Sequence, residues 1–134
     1  MQYNYNFSEI IKFRDQIDFE TSNFPDFMDR YYLLQDIVKQ KKLSHRVLGI
    51  GGILPLKRPQ KIRTMSFVSI STNKTYFAAL KEVQALFGEF YLESGIFPKI
   101  SVIPKEFLIH PKDVAPSVYR RLKERGALIY GTER

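Results

Sequence analysis

The apolar positions of the chain fall into helix-period stripes separated by short runs with a two-residue period. Ser8 is placed to cap a helix running to about Phe19, with Ile10, Phe13 and Ile17 on one side. Ser22-Asn23-Phe24-Pro25 interrupts it, and Pro25 suits the first turn of a second helix with Asp26 and Asp29 near its N-terminus. Phe27, Tyr31, Leu34 and Val38 then recur at i, i+4, i+7 and i+11, and Lys39, Lys41 and Lys42 close the stripe where cations complement the helix dipole. Arg46 to Ile50 reads as a short buried strand ending in Gly51-Gly52. The following stretch, 53–61, contains Pro55 and Pro59 and is a loop. Ile62 to Ser71 alternates as a strand, Thr72 or Asn73 offers a cap, and Tyr76 to Glu93 is the longest helix, ended by Gly95. Lys99 to Ile103 is a third strand closed by Pro104, and Lys105 to Pro111 a helical turn and loop. Pro116 to Arg125 is a last helix stopped by Gly126, and Ala127 to Tyr130 a terminal strand.

That order predicts an α+β fold: a small mixed sheet with helices on one face, preceded by N-terminal helices. At 134 residues a single domain is expected, with 1–26 as a helical extension and 27–131 as the main unit. Hydrophobic residues at 44% and charged residues at 26% fit a globular chain and exclude a disordered one. The chain has no cysteine, which excludes disulfides, thiolate metal sites and a cysteine nucleophile. The first residues have neither a basic n-region nor an apolar h-region, and no apolar run approaches the roughly 20 residues of a membrane span. A cytoplasmic, soluble protein is the expectation.

Charge changes the picture more. The net charge is +7, but residues 1–36 carry seven acids and three bases, whereas residues 37–81 carry ten bases and no Asp or Glu. A stretch of one sign predicts a positive field over part of the surface, which attracts phosphates or acidic proteins; a solvated face without a partner has the same composition.

The residues at the joints add a resemblance. Val47-Leu48-Gly49-Ile50-Gly51-Gly52, the loop at 53–61, Thr64 to Ile70, Lys99 to Ile103 followed by Pro104-Lys105-Glu106-Phe107, and the ending Pro116, Tyr119, Leu122, Glu124-Arg125-Gly126-Ala127-Leu128-Ile129-Tyr130-Gly131 stand in sequence. Together they resemble the minimal nucleotidyltransferases of the polymerase-β superfamily over about Phe27 to Gly131. The resemblance implies a strand ending in Gly-Ser, an Asp-x-Asp pair and a third carboxylate, which hold two divalent ions against the nucleotide phosphates. Here Gly52 stands for the serine, and Thr64, Ser66 and Ser101 stand at the carboxylate positions. Neutral hydroxyls do not neutralise two dications, and Lys57, Arg58, Lys61 and Arg63 would repel them. The resemblance therefore implies the fold and argues against the activity: no catalytic residue, no metal and no cofactor are expected.

What remains is binding. Lys57, Arg58, Lys61 and Arg63, with Lys41, Lys42 and Arg46 from the preceding basic run, form the candidate phosphate-binding set. Gly51-Gly52 either lets backbone amides approach a phosphate or makes a strand-end turn with positive φ. His45 and His110 lack the neighbours of a metal site, and Ser66, Ser69 and Ser71 have no nucleophile elbow around them. Glu89 and Glu93 are spaced i, i+4 as surface helix carboxylates commonly are. The cluster Arg120, Arg121, Lys123 and Arg125 reads first as helix capping and second as part of a basic face. The expected function is a non-catalytic module holding nucleic acid or a nucleotide in a basic cleft. The alternatives are a protein–protein module, working as a homodimer or as a toxin–antitoxin-type or scaffolding subunit, and a nucleotidyltransferase with atypical metal ligands.

Overall fold

A computed structural model of the chain describes residues 25–57 and 59–131. The expected helix over Ser8 to Phe19, and Arg58, lie outside the described residues. The described elements run α1 (Pro25–Gln40), β1 (Val47–Ile53), β2 (Thr64–Ser71), α2 (Tyr76–Ser94), β3 (Phe97–Pro104), a 3-10 turn (Lys105–Leu108), a short α3 (Pro111–Val114), α4 (Pro116–Arg125) and β4 (Gly126–Gly131).

The sheet is mixed, in the order β3-β2-β1-β4. β1 pairs antiparallel with both β2 and β4, and β2 pairs parallel with β3. A parallel pair needs a crossover connection, and α2 supplies it. Its cap is Thr75, whose Oγ1 accepts from the Ala78 amide, rather than Thr72 or Asn73. Asn73 instead accepts from the Arg46 guanidinium and donates to Ser71 Oγ. Gly95 closes the helix at φ 73, the left-handed conformation a glycine adopts without strain, and its amide donates to the Tyr91 carbonyl.

Strand alternation splits the interior in two. Met65 and Phe67 of β2 face α1 and α2 in a core with Tyr31, Leu34, Val83, Phe87 and Phe90, where the Phe67 ring lies 5.2 Å from Phe87 and 5.5 Å from Phe90. Val68 and Ile70 face the other way, onto Phe107 and Leu108 of the 3-10 turn and Val118 and Leu122 of α4. The α+β class and the small mixed sheet agree with the sequence pattern, and the two long helices share one face as expected. The one-sided arrangement itself is corrected. Nearly every residue of β1 and β2 is buried, so both faces of the central strands need cover, and the short C-terminal helix supplies the second layer.

Candidate anion-binding cleft

The cleft forms where β1 ends, β2 begins and α4 finishes. It measures about 320 Å³. The connection from β1 to β2 contributes Lys61, Ile62 and Arg63, the first turns of β2 contribute Thr64 and Ser66, and α4 contributes Arg121 and Arg125. Phe27, Leu54, Pro55 and Pro59 complete an apolar wall. Four cations and two hydroxyls thus line one opening, with no carboxylate among its described lining residues.

Arg121 and Arg125 are spaced i, i+4, so both emerge from the same side of α4. Arg125 is fixed by a reciprocal pair of bonds: the Leu54 amide donates to the Arg125 carbonyl and Arg125 Nη1 donates to the Leu54 carbonyl, both at 2.9 Å. This ties the start of the loop to the end of the helix. Arg125 Nε is buried and has no hydrogen-bond partner among the described residues.

Of the positions matched to the nucleotidyltransferase carboxylates, Thr64 and Ser66 line the cleft and Ser101 does not. All three nevertheless share one face of the sheet. Thr64 and Ser66 alternate with Met65 and Phe67, and Ser101 has the parity of Ile103, which belongs to the α4-side core. Register pairs Ser66 with Lys99 and Val68 with Ser101. Ser101 therefore lies about 8 Å from Ser66 by strand spacing and rise. Lys99 is exposed and occupies the face directly beside Ser66.

These residues do not fit a pair of divalent cations. Hydroxyls supply no negative charge, and Lys61, Arg63 and Lys99 surround them. Among the described residues, no group of three or more His, Cys, Asp or Glu is placed to hold a metal.

The remaining candidate residues are dispersed. Lys57 is exposed on the loop but does not line the cleft. Lys41 forms an ion pair with Glu89 at 3.2 Å. Arg46 sits at the start of β1, whereas the cleft is at its end, and seven strand residues separate the two by about 20 Å. Lys42 belongs to the same connection into β1 and does not line the cleft.

Gly51 and Gly52 are corrected most clearly. They do not form a turn after the strand but lie buried within the second half of β1, paired to Val68 and Phe67 on one side and to Leu128 and Ala127 on the other. Their backbone amides belong to the sheet, and neither has positive φ. Gly52 is required by packing: a Cβ there would stand 2.6 Å from Tyr31 Cζ. The sequence pattern left Arg121, Arg125 and Lys99 out of the binding set. The i, i+4 arginines in the last helix were the available signal, and capping chemistry accounted for them equally well.

No protein-family model, no curated protein and no solved structure matches the chain.

Proposed function

We propose that this protein is a non-catalytic, nucleotidyltransferase-like module that binds a phosphate-bearing partner, nucleic acid or a nucleotide, in the cleft between α4 and the start of β2. The observation that carries this reading is the meeting of Lys61 and Arg63 with Arg121 and Arg125 around Thr64 and Ser66, without a carboxylate among the described lining residues. Guanidinium groups bind phosphate through paired donors, and hydroxyls add hydrogen bonds that need no counter-charge. The half-buried Pro55 and Pro59 give a base or another flat group an apolar surface to lie on. The order of elements and the common face of Thr64, Ser66 and Ser101 support the nucleotidyltransferase-like part of the reading. Hydroxyls at those positions support the loss of metal chemistry.

The test is a filter-binding titration of the protein against single- and double-stranded RNA and DNA and against ATP, repeated across salt concentrations. Binding to at least one of them should weaken steeply with salt, with a slope of about 0.7–0.9 per phosphate contact for a nucleic acid. If none binds at low salt, the reading is wrong. Transfer of label from α-labelled ATP with Mg²⁺ would instead establish the enzyme with atypical ligands.

A further inference from the structure

The pairing registers place one residue from each strand in a single row across the sheet. Gly126 of β4 is paired with Ile53 of β1, Ile53 with Ser66 of β2, and Ser66 with Lys99 of β3. Adjacent strands lie about 4.8 Å apart, so the backbones at Gly126 and Lys99 are separated by about 14 Å. Arg125 immediately precedes Gly126 and donates to the carbonyl of Leu54, the residue after Ile53. Arg125 therefore stands at one end of the row and Lys99 at the other, with Ser66 between them.

The second helical layer stops short of the Lys99 end. Phe107, Leu108, Val118 and Leu122 pack with Val68, Ile70 and Ile103, further along β2 and β3. Thr64, Lys99 and Ser101 are exposed, and Ser66 is half-buried. Paired residues share a face of the sheet, so Ser66 and Lys99 lie on one side, and Thr64 and Ser101, each two residues along its strand, join them. The row also ends at β3, the edge strand. The Phe97 amide donates inward, to the Arg63 carbonyl, so the outward positions of the edge are Pro98, Ile100, Val102 and Pro104. Prolines at both ends discourage addition of a further strand.

Three hydroxyls and an ammonium thus continue the lining of the cleft toward the sheet edge, with no carboxylate among them. One phosphate seated on Arg121 and Arg125 leaves Lys99 unused. Several phosphates in a line engage both ends, the guanidinium groups through paired donors and the ammonium as a point charge, with Ser66 donating between them. We propose that the site extends from the cleft across Ser66 to Lys99 and takes a run of phosphates, as in a single nucleic-acid strand or a nucleoside triphosphate, rather than one phosphate group. This rests on the function proposed above and adds Lys99 as the residue that selects for the longer anion.

The test measures equilibrium binding of AMP, ATP and a short single-stranded oligonucleotide at low salt. Full-length native protein is compared with Lys99→Gln, Arg121→Glu and Lys105→Gln, the last removing an equal charge from an exposed site past the far end of β3. Lys99→Gln should weaken ATP, the oligonucleotide or both by at least about fivefold and lower the oligonucleotide's salt slope by about one phosphate contact. AMP binding to Lys99→Gln, and all binding to Lys105→Gln, should stay within about twofold of native. A loss confined to ATP identifies a nucleoside polyphosphate as the ligand, and one confined to the oligonucleotide identifies a strand. A smaller loss on Lys99→Gln, where Arg121→Glu still abolishes most binding, keeps the cleft and overturns the extension. Equal losses in Lys99→Gln and Lys105→Gln, or an equal loss for AMP, overturn it as well. If native protein binds none of the three, the proposed function fails and the extension fails with it.

Discussion

At the scale of single residues, the contact between Tyr31 and Gly52 explains most. Tyr31 is fully buried, its hydroxyl has no hydrogen-bond partner among the described residues, and its ring occupies the space that any side chain at position 52 would need. Gly52→Ala should destabilise the fold by about 1–3 kcal/mol, the usual cost of forcing extra volume into a packed core. A urea midpoint measures this. Tyr31→Phe removes an unsatisfied buried hydroxyl and should leave stability unchanged or raise it by up to about 1 kcal/mol. Burial also pushes the Tyr31 phenol above its ordinary value of 10.0. Above that pH the unfolded chain releases this proton while the folded chain keeps it, so the unfolded state is favoured progressively. Tyr31 should therefore contribute a loss of about 1.4 kcal/mol per pH unit above pH 10.0. The slope should be shallower by that amount in Tyr31→Phe. The stripe that buries Tyr31 was legible in the sequence, because Phe27, Tyr31, Leu34 and Val38 keep helical spacing. The reason for Gly52 was not, since the ring against it comes from a residue 21 positions earlier.

At the scale of elements, local chemistry was informative wherever the capping or breaking residue lay within its own segment. Gly95 ends α2 in the left-handed conformation its sequence context predicts, and Gly95→Ala should cost about 1 kcal/mol in thermal unfolding. Thr75→Ala should cost a similar amount, about 1 kcal/mol, by removing the bond to the Ala78 amide. Pro104 was legible only as a boundary, and Pro98 lies outside the expected Lys99 to Ile103 strand although β3 includes it. The structure gives them a further role on the outer edge of β3, which depends on pairing direction and so on the parallel register with β2. The second helical layer was missed for a related reason. The alternation of Ser and apolar residues in β2 resembles a half-exposed strand, yet Ser69 and Ser71 are buried. Coverage of their second face comes from residues 107–122, more than 35 positions further along the chain.

At the scale of the whole molecule, an acid-free stretch in the sequence does not become one surface. Lys61 and Arg63 reach the cleft, Lys41 turns to Glu89, and Arg46 stays at the far end of β1. Arg121 and Arg125 come from a region whose composition is balanced, and they complete the cleft. Charge composition marked a basic stretch, but the packing of α4 against the β1–β2 connection decides which cations line the cleft. A site of this kind differs from a diffuse positive field in one measurable respect: two reversals of equal charge should not have equal effects. The most direct measurement compares Arg121→Glu with Lys42→Glu in binding to the polyanion that the native protein holds best, at one low salt concentration. Arg121→Glu should weaken binding by at least about tenfold and flatten the salt slope by about one phosphate contact, while Lys42→Glu stays within about twofold of the native protein. Equal losses in the two variants would show that net charge alone attracts the ligand, and would contradict a defined cleft.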